Sequence, residues 1–536
     1  MYPLMIILLF LIVLVLFKRS KKTLHMLQQN LYNKNNRYLK WLYKNSKFIS
    51  LELISIVLIV LCITLFKDNG ALIIISLLLD IIIYVIDYIN IRSESNYDKK
   101  HEKKSLVYTA RIKRIIVTTF IIYILPIIFM VIKFKDVDLV FKSILVFVIL
   151  VYLNRIIIYF ACVLNKPIEK LVYFYYLHKA SNKINSMNNL KVIGITGSYG
   201  KTSSKNILND ILDIKYNVLP TPKNYNSPYG LMITINTMLD KFTDVFIAEM
   251  GAYKEGEIKE LCDIVHPKYG ILTRIGEAHL ESFGSREKIQ QTKFELIESL
   301  PSDGIGILNK DDPKQVDYKL KNDCKIVWIG IDDKSADVIA ENIKCDNKGV
   351  HFDAVFKGDK NKYKFESKLL GKHNIYNILA SIALGNEFGI PKEDLIRAVK
   401  NVKPIEHRLE IKRINNFYMI DDAYNSNPEG AKNACLVLKM MPGTKVMVTP
   451  GMIELGKDED KLNKEFGKQI ADAADYVVLI GKEKTKPIYE GLIEKKYNKD
   501  NIIIYNDVKE AYKFLGGLPG EVYALFENDL PDSYNE

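Results

Sequence analysis

Between Lys191 and Ile214 the chain reads KVIGITGSYGKTSSKNILNDILDI, and this stretch restricts its fold more than any other. The run KVIGIT is apolar and β-branched, the composition of a buried strand. It meets a turn, Gly197-Ser198-Tyr199-Gly200-Lys201-Thr202-Ser203, and a helical pattern follows. Strand, glycine turn and helix in that order form a loop that cradles phosphate. The glycines let backbone N–H groups converge on an anion, and the helix N-terminus adds partial positive charge. Lys201 adds a full charge, and the Thr202 hydroxyl can ligate Mg²⁺. Ile195 stands where the full GxxxxGK[ST] pattern has its first glycine. GKT alone is a modest signal, and a glycine turn with an incidental lysine is the alternative. The flanking strand and helix weigh against it.

The 536 residues leave room for three or four domains. Their 75 Lys and Arg against 63 Asp and Glu give a net charge of +12, which by itself would invite a nucleic-acid reading. The basic clusters instead flank apolar runs, the pattern of membrane topology, so the expected partners are membrane lipids and no nucleic acid. Five such runs lie at 2–17, 48–66, 71–91, 115–132 and 139–164. Most reach the roughly 17–25 residues that span a bilayer. Residues 1–165 therefore read as a transmembrane domain of about five helices. The first run lacks a basic n-region and an A-x-A site, which favours an anchor over a removed signal peptide.

Loops beginning at Lys18 and near Lys99 are strongly basic, whereas 67–70 and 133–138 are short and mixed in charge. The positive-inside rule then predicts a multi-pass protein of a bacterial-type cell membrane, N-terminus outside and the part after the fifth run cytoplasmic. Asp80 and Asp87 share a face of the third run, and Lys142 and Arg155 border the fifth. Pairing between helices or snorkelling to the interface is the preferred explanation, a polar groove for a lipid head group the alternative. Residues 165–178 read as an amphipathic juxtamembrane helix and 181–190 as a linker, together filling 166–190. The six cysteines are scattered without a CxxC pair, which speaks against a zinc ribbon or a disulfide framework.

From Lys191 onward short apolar strands alternate with helical patterns, as in an α/β domain with a mostly parallel sheet. The stretch TPKNYNSPYG (221–230) is dense in turn formers and amides. VFIAEM (245–250) reads as a buried strand ending at Glu249, and a carboxylate there lies on the ligand edge of such a sheet. Residues 334–368, charged and of uncertain pattern, read as a surface excursion. Strands at 445–448 and 476–480 with helices between them indicate a second, Rossmann-like domain.

In order, the chain carries GSYGKTS, NYNSPYG, AEMGAYKEGEI, AHLESFGS, QTKFE, NKDDP, GKHNIYN, HRLE, DDAYNSNP and GMIELG. This series resembles the Mur ligases, the ATP-dependent amide ligases of peptidoglycan assembly. It is most similar to the branch that adds D-alanyl-D-alanine to UDP-N-acetylmuramoyl-tripeptide, and it covers most of residues 190–485. The resemblance implies a P-loop central ATPase domain at 191–407 and a C-terminal Rossmann-like domain at 408–536. In the family the latter binds the incoming amino acid or dipeptide and closes over ATP. Catalytic roles are implied for Lys201, His279 and Lys293. Gly197, Ser198, Tyr199, Gly200, Lys201, Thr202 and Ser203 would hold the phosphates. Asn309, His373 and Asn374 match nucleotide-side positions, and Arg408 and Asp422 match positions near the phosphates and ribose. Thr202, Glu249, His279 and, as a carbamate, Lys293 would serve Mg²⁺. Asn224, Asn226, Ser227, Asn425 and Asn427 match substrate-side loops. His373 and His407 have a second reading as hydrogen-bonded structural histidines, and Lys293 as an ordinary helix lysine.

Three departures bear on the substrates. Membrane segments occupy the place of the small domain with which relatives hold the UDP-sugar peptide. Pro450 stands where GDMxELG has aspartate, and LFENDLPD (525–532) stands where a KGSR-like ending is usual. The expected protein is an α-helical membrane domain followed by α/β domains. Its expected activity is ATP-dependent ligation through an acyl phosphate, adding an amino acid or dipeptide to a carboxylate of a cell-wall precursor. The fused spans favour a lipid-linked acceptor. Two alternatives stay open: a ligase of another peptide polymer such as poly-γ-glutamate, and a non-catalytic ATP-binding regulator of a cell-envelope complex.

Overall fold

The computed structural model describes residues 2–45, 51–66, 69–101, 105–133, 138–276, 280–423, 427–453 and 455–528. The chain divides into two compact units, Met1–Phe174 and Tyr175–Glu536.

The first unit is helical. Helices Tyr2–Gln29, Gly70–His101, Ala110–Lys133 and Asp138–Leu164 contain apolar segments of 27, 24, 20 and 24 residues, long enough to cross a bilayer. The second expected span is different. Its helix, Leu51–Thr64, has 14 residues. At 1.5 Å per residue that is about 21 Å, against a hydrocarbon core of about 30 Å. Residues 48–50 of that run lie outside the described residues. The expectation of about five spans thus becomes four long apolar helices and one shorter one. The first helix also runs well past Phe17, taking the basic cluster at 18–22 into its own length.

Ile6, Phe10 and Phe17 point outward, as lipid-facing side chains do, and polar groups turn inward. Arg19 donates to both carboxylate oxygens of Asp87 at 2.8 and 2.9 Å and also pairs with Glu52. Asp80 is fully buried beside Ser55. Both aspartates do share an inward face, and pairing accounts for Asp87, with a partner on the first helix. Arg155 donates to the carbonyl of Asn45 at 2.7 Å. The helix Lys166–Asn185 continues through the first half of the expected linker.

The second unit holds two sheets. Strands β1 (Lys191–Thr196), β2 (Val218–Pro220), β3 (Val245–Glu249), β4 (Tyr269–Leu272), β5 (Ile305–Asn309) and β6 (Lys325–Gly330) pair in parallel. Then β7 (Val338–Asp346), β8 (Gly349–Phe356) and β9 (Lys362–Ser367) extend the same sheet, in the order β2-β3-β1-β4-β5-β6-β7-β8-β9. The segment expected to be a surface excursion is therefore sheet. Val338, Phe352 and Phe365 join the main core, and only the outward positions of these strands carry the charge. In the second sheet β10 (Glu410–Ile414), β11 (Phe417–Asp422), β12 (Thr444–Thr449), β13 (Tyr476–Ile480), β14 (Ile502–Tyr505) and β15 (Val522–Glu527) lie in the order β10-β11-β15-β12-β13-β14. All its pairs are parallel except the β10–β11 hairpin.

One packing detail positions the site. Gly194, Gly270 and Gly306 are partners across β1, β4 and β5. A Cβ at Gly194 would lie 2.4 Å from Leu296 Cδ1, and at Gly306 3.3 Å from Ile297 Cδ1. The glycine row lets the helix Arg286–Glu298 sit directly on the sheet, and Lys293 rides on that helix.

Candidate active site

The site forms where β1 and β3 end. Register pairs Ile195 with Glu249, so the strand carboxylate emerges beside the start of the glycine loop. Gly197 has φ +148°, and a Cβ there would fall 1.9 Å from Thr273 Oγ1. Gly200 has φ +85°, conformations that side chains disfavour. Ser198 N donates to Arg274 O at 2.9 Å, and the Tyr199 ring packs on Gly276. The Lys201 ammonium turns back into the loop, donating to the carbonyls of Gly197 at 2.7 Å and Ser198 at 3.2 Å. Burial lowers its pKa to about 8; Glu249 opposes that shift and Arg408 adds to it. Ser203 follows, half-buried, on the helix Lys201–Leu212.

Glu249 is the hub. Thr202 Oγ1 donates to its Oε1 at 3.2 Å and Asn226 Nδ2 to the same oxygen at 3.1 Å. Its Oε2 meets Lys205 Nζ at 3.0 Å, without hydrogen-bond alignment. Lys205 is buried and also donates to the carbonyl of Lys223 at 2.5 Å. One lysine thus ties the strand carboxylate to the loop 221–227. Sequence reading passed over Lys205, although it occupies the inward stripe of its helix with Leu208 and Leu212, where a lysine needs a partner.

A chain of amides joins the loop to the helix His373–Glu387. Ser204 Oγ donates to Asn377 Oδ1 at 3.1 Å, Asn377 Nδ2 to Asn374 Oδ1 at 3.0 Å, and Asn374 Nδ2 to Leu370 O at 2.9 Å. Asn377 Oδ1 also stands 2.9 Å from where a Gly200 Cβ would be. Asn377 is thus a second residue that the sequence reading did not single out. Burial, with Arg408 nearby, drops the His373 pKa to about 4, so the ring is neutral. Asn309 Oδ1 accepts from Asp311 N at 3.0 Å, shaping the turn after β5.

Lys293 is 3% exposed, not an ordinary helix lysine. Burial first, then Lys201, lower its pKa to about 7. Its Nζ lies 5.7 Å from the centre of the Phe283 ring. His279 and Asn425 lie outside the described residues. Among the described residues no three His, Cys, Asp or Glu side chains gather as a metal-holding group.

Arg408 sits between two left-handed residues, His407 (φ 58°) and Leu409 (φ 51°). Its charge is felt at Lys201, His373 and Asp422, which draws the β10–β15 sheet into the electrostatics of the loop. Asp422 pairs in register with Glu527. Burial raises its pKa, opposed by Arg408 and a hydrogen bond from Glu527. His407 Nδ1 lies 2.8 Å from Asp421, which gives this histidine its structural reading. Ser227 and Asn427 each cap a helix, accepting from Gly230 N at 3.4 Å and Gly430 N at 2.9 Å. Asn224 is exposed on the loop ahead of Ser227. Arg274 and Glu429 meet at 3.6 Å between the two sheets' loops.

Residues 195–385 match the Mur ligase middle domain, and residues 407–520 the glutamate ligase domain of Mur ligases. The UDP-N-acetylmuramoyl-tripeptide–D-alanyl-D-alanine ligase of Bacillus subtilis (strain 168) is 35% identical over 326 residues, 60% of this chain and 68% of that protein. The crystal structure of MurF from Acinetobacter baumannii has a TM-score of 0.60 at 25% identity, covering 67% of this chain and 77% of that one. The MurF ligase of Thermotoga maritima in complex with ADP gives 0.59 at 25% identity, covering 66% and 80%. The chain spans about two thirds of the length of the curated relatives it matches. Sequence match and shared fold lead to one conclusion: the chain belongs to the Mur ligases, enzymes that use ATP to form amide bonds.

Proposed function

We propose that this chain is a membrane-anchored Mur ligase that joins a D-alanyl-D-alanine-type dipeptide to a carboxylate of a peptidoglycan precursor, presented from the membrane. The observation that carries the chemistry is the junction of Lys201, Thr202 and Glu249 at the glycine loop. The names of the relatives supply the substrate class. The apolar helices ahead of residue 195, where the family match begins, support the anchoring.

In this reading the acceptor carboxylate attacks the γ-phosphorus of ATP, the bond to the β-phosphate oxygen breaks, and ADP leaves. The amine of the incoming group then attacks the acyl phosphate carbon, phosphate departs, and the amine proton passes to solvent. The loop N–H groups and Lys201 stabilise charge on the transferring group, and orientation supplies much of the remainder. Thr202 Oγ1 and the Glu249 carboxylate are adjacent hard oxygen donors, which suits Mg²⁺; this ion takes few protein ligands and would neutralise phosphate charge. Lys205 holds Glu249 in place, and Asn226 links it to the loop 224–227, which this reading assigns to the acceptor. A buried lysine that gives up its proton near pH 7 is a nucleophile for CO₂, which supports the carbamate at Lys293. Asp422, Arg408, His373 and Asn374 line the nucleotide side.

Both basic loops and the ligase unit are assigned to the cytosol and the N-terminus to the outside, with Leu51–Thr64 counted as a crossing. The test is phosphate release by the detergent-purified protein with ATP and Mg²⁺. UDP-linked and lipid-linked muramoyl-tripeptide are offered separately, each with and without D-Ala-D-Ala. Release that needs both the lipid-linked acceptor and the dipeptide is expected, and Lys201→Ala is expected to abolish it. Turnover at wild-type level in Lys201→Ala, or no release with any pair, refutes the assignment.

A further inference from the structure

We infer that the ligase unit rests on the bilayer through a face of its own, which sets the acceptor loop 224–227 to work at the lipid surface. This rests on the membrane-anchored reading above. The face is built from the C-terminal half of the helix Lys166–Asn185 and from the helix Pro228–Thr237. Asn236 Nδ2 donates to the carbonyl of Tyr176 at 3.1 Å and holds the two together. The helix Pro228–Thr237 buries Leu231, Thr234 and Ile235 and leaves Tyr229 and Ile233, one turn apart, about half exposed. Met238 and Phe242 extend this face past the helix end, and Tyr175 and Tyr176 add to it from the other helix. Six large exposed side chains on two hydrogen-bonded helices and the turn that follows one of them mark an interaction site.

Chain continuity, side-chain type and charge favour lipid as the occupant. Tyr175 lies eleven positions after Leu164, the last residue of the fourth long apolar helix. Eleven residues of chain reach at most about 36–40 Å, so the face is tethered near a membrane. Half of its six large side chains are tyrosines, whose rings suit the head-group level, apolar in body and polar at the tip. Lys179, one turn after Tyr175, and Lys241, with Nζ 5.0 Å from the Phe242 ring centre, are exposed cations that suit lipid phosphates. The nearby acids accept hydrogen bonds from the ligase unit itself. Asp240 accepts from Phe242 N and Thr243 Oγ1, and Asp244 accepts from Asn217 N. Ser227 caps the same helix, with Asn226 and Asn224 just ahead of it. A seated helix therefore presents those amides at the boundary where the head group of a lipid-linked acceptor lies.

The test uses the full chain in phospholipid vesicles, with a bimane label at Ile233→Cys, at Phe242→Cys or, as a control, at Lys360→Cys on the turn between β8 and β9. The native cysteines are buried or half-buried, which directs labelling to the added thiol. Lipids carrying a head-group-proximal doxyl quencher are expected to quench the labels at 233 and 242 at least threefold more than the label at 360. Equal quenching at all three positions overturns the inference. Flotation of the same vesicles after an alkaline wash reads anchoring separately. Protein that floats without preferential quenching refutes this inference alone. Protein that does not float refutes the anchored reading and this inference with it.

Discussion

Replacing Lys293 by methionine is expected to destroy activity and to stabilise the fold. Lys293 is 3% exposed, and burial lowers its pKa from 10.5 to about 7, with a further push from Lys201. In the unfolded chain the amine keeps its proton to about pH 10.5. Between about pH 7 and 10.5 the unfolded state therefore binds more protons than the native state, and native stability rises with pH. The difference between 10.5 and about 7 corresponds to roughly 5 kcal/mol of penalty, full below pH 7 and fading to about 2 kcal/mol at pH 9. Methionine keeps the unbranched chain and removes the charge. Lys293→Met is thus expected to raise stability by several kcal/mol at pH 6.5 and by about 3 kcal/mol less at pH 9. The assay is urea unfolding in CO₂-free buffer, followed by fluorescence of Trp328 in the central sheet with Trp41→Phe as background. A variant that is destabilised equally at both pH values refutes the reasoning, because the lysine would then be held as a satisfied cation.

The remaining expectations follow from the same site. Scrubbing CO₂ from the assay should lower wild-type turnover at least tenfold, and bicarbonate should restore it; indifference to bicarbonate removes the carbamate. Lys205→Met leaves Glu249 buried and without its cation, a loss of about 3–5 kcal/mol by denaturant midpoint, and Lys205→Arg should recover only part of it. Gly200→Ala puts a side chain at φ +85° and 2.9 Å from Asn377 Oδ1; equilibrium dialysis should show at least a tenfold loss of ATP affinity. In the helical unit, Arg19→Met removes the guanidinium that Glu52 and Asp87 share and should lower the thermal midpoint in detergent by several degrees.

The residues that were legible in the sequence are those whose role is local. The glycine loop declares itself because strand, turn and helix are contiguous, whereas Ser227 and Asn427, read as substrate-side residues, are seen only in the structure to cap helices. The long apolar helices were legible for a similar reason, since crossing a bilayer requires a run of apolar residues whatever packs around it. Residues 334–368 were misread because β7–β9 find their burial against a sheet edge, and their alternating charge shows only the outward face. The described length of Leu51–Thr64 was not legible in the same way, because apolarity marks a run and not the extent of its helix.

Sequence alone determined the family and the order of its two matched domains, because both rest on residue type and spacing along the chain. Tertiary structure alone decided which charges meet. It gave Glu249 the partner Lys205, brought Arg408 from the second sheet's side into the field of both Lys201 and Asp422, and set Asp87 against Arg19. The physical reason is that an ion pair is defined by distance and by exclusion of water. Both are set by packing between segments that lie far apart in the chain.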